Sequence, residues 1–217
     1  MIANDRDLLV FEPRLFNENL FPSQRVFDAP GAGGLDAAGT TLTVSSAKWN
    51  DWGVGPGWVV LINDVPAEVV ARFNQTQLYV SKLREDASTP VLPAGSGSSL
   101  SVRVGTFRPQ IQQVHEALLR ALGIEPSAAA SVPPAVSEAS ITNPGAMLHA
   151  ECLGALELIY ATASTSASEG SITWTKAMSY AKRAADERRR LAVEIDTNAD
   201  GTPDALRRPS AHWLTRS

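Results

Sequence analysis

The hydrophobic period of this chain changes once, near Pro109, and that change restricts the fold more than any other feature. Before it, apolar residues recur at every second position or in short unbroken runs. Thr41-Leu42-Thr43-Val44-Ser45, Gln77-Leu78-Tyr79-Val80-Ser81 and Leu100-Ser101-Val102-Arg103-Val104 alternate, and Trp58-Val59-Val60-Leu61-Ile62 is continuous. Alternation places one set of side chains on one face of a strand, and an unbroken run fits a strand covered on both faces. After Pro109 the period is helical, with Ile111, Val114, Leu118, Ala121 and Leu122 on one face. Strands grouped ahead of helices, not alternating with them, specify an α+β protein.

Residues 35–106 are expected to form a small β-barrel or sandwich of five short strands, with Asn63-Asp64 as a turn dipeptide. Two segments, Trp49–Gly57 and Glu85–Ser99, read as exposed loops. Trp49, Trp52 and Trp58 read as core or interface packing, with a sugar-binding platform as the alternative. Ahead of this domain, residues 1–34 read as an extended N-terminal arm. It holds four of the six phenylalanines, and Pro13, Pro22 and Pro30 exclude one long helix. So apolar an arm is expected to lie along its own subunit or along a neighbour. Phe11, Leu15, Phe16 and Phe21 are its expected inter-subunit anchors, and Gly31-Ala32-Gly33-Gly34 its flexible joint.

Residues 107–195 are expected to form a three-helix bundle. Pro109 suits a first helical turn and Gly123 a C-terminal cap. Residues 125–140 read as a linker. Asn143-Pro144 starts a second helix carrying Leu148, Cys152, Ala155, Leu156 and Ile159 on one face. A third runs from Ser171 to Ile195, apolar along Trp174, Met178, Ala181 and Ala185. Its other face carries Lys176, Lys182, Arg183, Asp186, Glu187, Arg189 and Arg190.

Residues 196–217 form the last segment, an Asp-rich turn followed by a basic tail. Asp196, Asn198, Asp200 and Asp204 stand where a calcium loop places oxygen ligands, and Gly201 stands at its sharp turn. Position twelve is Arg207, where a bidentate glutamate belongs, and Pro203 breaks the flanking helix. An EF-hand is therefore excluded. Two readings stay open: a loop-only calcium site, and a tight turn closed by side-chain to backbone bonds, which is preferred. The tail offers Arg207, Arg208, His212, Trp213, Leu214 and Arg216 for docking to another subunit.

Several functions are excluded or disfavoured. A net charge of −4 does not describe a general nucleic-acid binder. No run of 18 apolar residues exists, so no membrane span is expected. The start of the chain is charged and lacks an apolar signal core, so export is not expected. The single cysteine, Cys152, can make neither an internal disulfide nor a cysteine zinc site. His115, His149 and His212 accompany no nucleophile motif, and no phosphate loop is present. The chain is not expected to be an enzyme or to need a cofactor, calcium being the one ion left open.

The order Trp174-Thr-Lys-Ala177 … Tyr180 … Glu187 … Arg190-Leu191-Ala-Val193-Glu-Ile195-Asp196-Thr-Asn-Ala-Asp200-Gly201 … Asp204 … Arg207 resembles tailed-bacteriophage proteins encoded near the capsid and portal genes. Residues 109–195 are also similar in plan to head-tail connector (adaptor) proteins. The resemblance covers about half the chain, and the β domain departs from the smallest adaptors. It implies a structural virion protein made in the host cytoplasm and placed in the neck. Such a subunit belongs to a ring, of about twelve copies in that family, under the portal protein and against other neck or tail components. Contact with passing DNA is open to it. The alternative class is a non-catalytic module that binds carbohydrate or protein, with a calcium-stabilised C-terminal loop.

Overall fold

The computed structural model describes residues 1–86, 88–124, 126 and 136–209. The chain divides into two compact units, one of Asn4–Arg108 and one of Met1–Ala3 with Pro109–Ser217.

The first unit is built on six strands: β1 (Arg25–Leu35), β2 (Thr41–Val44), β3 (Val59–Ile62), β4 (Val65–Arg72), β5 (Gln77–Ser81) and β6 (Gly97–Gly105). They close into an antiparallel barrel in the order β1-β2-β5-β4-β3-β6. Closure removes the open edges that short strands would otherwise present to other chains. Asn63 and Asp64 join β3 to β4 with φ of 49° and 62°, and Ile62 pairs directly with Val65. That is a two-residue hairpin turn of the kind asparagine and aspartate tolerate. Leu42, Val44, Leu78, Val80, Val102 and Val104 are fully buried. The period-two set thus fills the barrel interior. Trp49 is buried with them, edge-on to Phe27 at 5.2 Å and to Trp52 at 5.8 Å between ring centroids. Trp58 is buried as well and Trp52 half-buried, so the tryptophans pack the barrel and do not form an exposed sugar platform.

Residues 1–34 are not an extended arm. Helices α1 (Asp5–Phe11) and α2 (Leu15–Glu18) and a 3-10 turn (Pro22–Gln24) lead directly into β1. Leu8, Leu9, Leu15 and Phe16 are buried inside this unit, and Phe16 meets Phe107 edge-on at 5.0 Å. Leu15 and Phe16 are therefore core residues of their own unit, not anchors for a neighbour. Phe11 and Phe21 are half-buried. The physical reason is proximity: the nearest apolar surface is the barrel to which β1 belongs. Gly31 to Gly34 are no joint either, for they lie within β1. A Cβ on Gly33 would overlap the Val102 side chain and reach 3.2 Å from the Leu100 carbonyl oxygen. Glycine lets β1 approach β6 there. Pro30, which cannot donate, falls where the β1–β6 register slips between Ala29 and Gly33.

The second unit contains α3 (Arg108–Ala121) from Pro109 onward, α4 (Leu148–Ser164), α5 (Ile172–Arg190) and a hairpin of β7 (Val193–Ile195) with β8 (Ala205–Arg207). Buried residues run without interruption from Ala150 to Leu156 of α4. A Cβ on Gly154 would stand 2.6 Å from Val114 Cγ1, so its absence brings α3 close to α4. Gly123, at φ +70°, ends α3 as expected, and the Ser171 side chain caps α5 by accepting from Trp174 N at 3.3 Å.

Two expectations need correction here. Asn143 stands at the N-cap position, with Pro144 in the first turn, but its side chain makes no cap bond and its oxygen instead accepts from Glu194 N at 2.8 Å. A 3-10 turn, Pro144–Met147, intervenes before α4. The last helix ends at Arg190, and residues up to Ile195 are not helical. Leu191 and Ile195 fit a helical face and also fit alternation, and Val193 decides between them. It is fully buried with Ile195, because the segment pairs with Ala205–Arg207. No helix among the described residues is long and apolar enough to cross a membrane.

Candidate interaction surfaces

Helix α5 packs on α4 through small and aromatic side chains. Ala177, Tyr180 and Ala184 are its buried residues. Tyr180 stacks on Tyr160 of α4, with ring centroids 5.3 Å apart. Lys176 lies 5.3 Å over the Tyr160 ring, and Arg183 lies 5.2 Å over the Tyr180 ring. Arg188 reaches Glu157 of α4 at 3.3 Å. The outer face of α5 leaves Ile172 at 78% and Met178 at 54% exposure. Lys182, Arg183, Arg189 and Arg190 are exposed along the same helix, Arg189 pairing with Asp186 at 3.4 Å. Cations in the last turn also favour the helix terminus they sit on. Between α3 and α4 lies a groove of about 260 Å³, lined by Val114, Ala117, Leu118, Ala121, Gly154 and Leu158 among others.

The Asp-rich segment is the loop of the β7–β8 hairpin. Asp196 accepts from Asn198 N at 3.2 Å and Ala199 N at 2.7 Å through one oxygen, and from Gly201 N at 2.7 Å through the other. Asp204 accepts from Thr197 N at 3.1 Å and from the Thr197 hydroxyl at 2.7 Å. Asp200 accepts from Asn198 Nδ2 at 3.1 Å, and Asn198 in turn accepts from Asp200 N at 3.0 Å. These are the side-chain to backbone bonds of a tight turn. The Thr202 and Asn198 bonds hold the Asp200 carboxyl below its usual range. Among the described residues, no group of three His, Cys, Asp or Glu side chains is placed to hold a metal.

The expected tail contacts separate. Arg207 donates to the Leu122 and Gly123 carbonyl oxygens at 3.2 and 2.8 Å. Through Nη1 it is held by the free carbonyls at the end of α3 within its own unit. Arg208 is exposed. His212, Trp213, Leu214 and Arg216 lie outside the described residues.

One cluster had no signal in sequence. His115 of α3 donates or accepts through Nδ1 with Glu151 of α4 at 2.7 Å, and both residues are buried. The other Glu151 oxygen accepts from Ile2 N at 3.0 Å and Ala3 N at 2.8 Å. On its far side, His115 Nε2 stands 3.0 Å from the Met1 amine and 3.2 Å from Glu138 Oε1. Burial pulls the imidazole pKa down, but the bond and charge of Glu151 outweigh it and set it above the ordinary value. The partners are 23 to 149 positions apart, a separation that no local motif spans. A histidine on the buried side of an amphipathic helix is the only sequence trace.

No family model, curated protein or solved structure matches the chain.

Proposed function

We propose that this chain is a structural subunit of a tailed-phage virion, a head-tail connector that assembles as a ring under the portal. The observation that carries this reading is the outer face of α5. It presents Ile172 and Met178 beside Lys182, Arg183 and Arg190, and leaves both apolar side chains more than half exposed. Mixed apolar and cationic surfaces of this kind fit a protein partner. The resemblance of residues 174–207 to tailed-phage proteins encoded near the capsid and portal genes, and of the plan of residues 109–195 to head-tail adaptors, suggests the identity of that partner. In this reading α3, α4 and α5 act as the helical bundle of the adaptor family. Arg208 and the residues after it enter the portal, and the cations of α5 face the portal or passing DNA. Exposed Val10, with the half-buried Phe11 and Phe21, remains for a neighbouring copy. Such head-to-tail contacts close into a ring when the rotation between copies permits.

Mixing the purified chain with the cognate portal and imaging the product tests this. Rings of about twelve copies on the portal are the expected result. A stable monomer that never associates with portal would count decisively against the reading.

The competing reading, a binding module stabilised by calcium at Asp196, Asn198, Asp200 and Asp204, is separated by a thermal melt. Calcium at a hundredfold excess over a true dissociation constant adds about 2.7 kcal/mol and shifts the transition by several degrees. No shift is expected, because the loop is already closed by its own hydrogen bonds. A rise with micromolar calcium that Asp196→Asn removes would favour the module.

A further inference from the structure

Helix α5 carries six lysine or arginine residues against two acids, in a chain whose net charge is −4. The rest of the chain is therefore acidic on balance, and α5 stands out against it. Lys176, Arg183 and Arg190 recur every seven residues, and so do Lys182 and Arg189. Seven residues are close to two full turns, so each set forms a row along one side of the helix, its members about 10 Å apart. Lys182, Arg183, Arg189 and Arg190 are exposed and Lys176 is half-buried. The longer row spans about 21 Å of helix, and Ser179 and Asp186 separate it from the shorter one.

Two of the cations are held in place beforehand. Lys176 lies 5.3 Å over the Tyr160 ring, with Nζ 3.3 Å from the phenol oxygen, and Arg183 lies 5.2 Å over the Tyr180 ring. Side chains fixed in advance lose less freedom on binding. Asp186 pairs with Arg189 at 3.4 Å, but at 44% and 79% exposure such a pair is weak and yields to a stronger anion. Arg188 is turned to Glu157 and belongs to neither row.

We propose that this face of α5 binds the phosphate backbone of duplex DNA through Lys182, Arg183, Arg189 and Arg190, with Lys176 at the far end of its row. The inference rests on the connector reading for the presence of DNA, and it gives the α5 cations to the DNA and not to the portal. A protein interface keeps charge out of its centre, whereas cations fill the middle of this face. The apolar Ile172 and Met178 lie at its N-terminal end and at one edge, where they are left for the portal. Guanidinium groups pair with phosphate through two parallel bonds. Tyr160 and Tyr180 are buried, so no base stacks on them, and the contact is to the backbone without regard to sequence. The acidic balance of the remaining surface repels a duplex and so favours docking by this face.

Fluorescence anisotropy of a labelled duplex of about 20 base pairs, titrated with the full chain from about 50 to about 200 mM salt, tests the proposal. Binding is expected at the low end, with log affinity falling against log salt at a slope of about −4, as four to five neutralised phosphates require. Replacing Arg183 and Arg190 together by glutamine, or Lys182 and Arg189 together, should weaken binding about tenfold or more and flatten the slope by about 2. Glutamine keeps the helix propensity and all four positions are exposed, so both variants keep the fold, which circular dichroism checks. Lys48→Gln, at an exposed position of the barrel unit, is the control and should bind as the native chain does. An equal loss in Lys48→Gln overturns the site, and so does the absence of binding at about 50 mM salt. Polyglutamate that displaces the duplex at equal charge concentration overturns the choice of DNA and gives the face to an acidic protein. The portal mixture separates this inference from the reading it rests on. Rings on the portal without DNA binding overturn the α5 assignment alone. DNA binding that the α5 variants lose, with no ring on the portal, overturns the connector reading and leaves the α5 face standing.

Discussion

Replacing Glu68 by alanine is expected to destabilise the barrel unit by about 3–5 kcal/mol. Glu68 lies on β4 and is 1% exposed. Its carboxylate pairs with Arg84 Nε and accepts from Arg84 N at 3.3 Å. Its other oxygen stands 3.0 Å from Arg6 Nε, a charge contact not aligned as a hydrogen bond. The arginines are themselves fixed. Arg6 Nη2 donates to the Arg84 carbonyl at 2.6 Å, and Arg84 Nη1 to the Thr89 carbonyl at 3.0 Å. Removing the carboxylate leaves two guanidinium groups in a poorly solvated place without their counter-charge. That cost exceeds the worth of the original pair, whose attraction is largely offset by desolvation. Urea unfolding of the full chain measures it. Glu68→Gln, which keeps the shape and loses the charge, should lose most of the same stability. A loss under about 1 kcal/mol for both variants would show that the arginines rehydrate freely.

Asp5→Asn is expected to stabilise the chain above neutral pH and to lose that advantage in acid. Asp5 is fully buried at the first turn of α1, and burial pushes its carboxyl up to about 7. Bonds from Thr106 Oγ and Phe107 N, each at 2.7 Å, work against that shift without cancelling it. The folded pKa is thus raised above the unfolded one near 3.8. Below the unfolded value both states hold the proton and the group has no effect on stability. As pH rises from about 4 to about 7 the unfolded chain ionises and the folded one resists, so stability falls. The full effect is on the order of a few kcal/mol. Asparagine keeps an acceptor for Phe107 N and offers Thr106 a donor in place of a charge. Unfolding free energies of both chains from pH 4 to 8 should therefore diverge, with the asparagine chain gaining. A difference that stays flat across that range would mean the carboxylate is better solvated than its burial implies.

Much of the architecture was legible because short-range periodicity carries it. Leu42/Val44, Leu78/Val80 and Val102/Val104 alternate in sequence and point into the barrel in space. Asn63-Asp64 makes the predicted turn, Gly123 ends α3, and Ser171 starts α5. The failures fall where two local readings compete or where a distant partner decides. Residues 31–34 read as a joint because glycine is rare in strands, and at Gly33 only the approach of β6 explains the glycine. Leu191 to Ile195 fit both periods, and the pairing with Ala205–Arg207 resolved them. Arg207 read as a free cation, and the exposed carbonyls of Leu122 and Gly123 claimed it.

The sequence by itself determined the class of the fold, the change from strands to helices near Pro109, and the turn at Asp196–Asp204. Each is a matter of side-chain spacing or of an asparagine, aspartate or glycine answering a neighbour a few residues away. Only the tertiary structure decided that β1 closes the barrel, that Leu15 and Phe16 belong to its core, and that Met1, His115, Glu138 and Glu151 meet. Those contacts join positions tens to more than a hundred residues apart. Their energy comes from burial and charge pairing in the folded state, and no segment of the chain carries it in isolation.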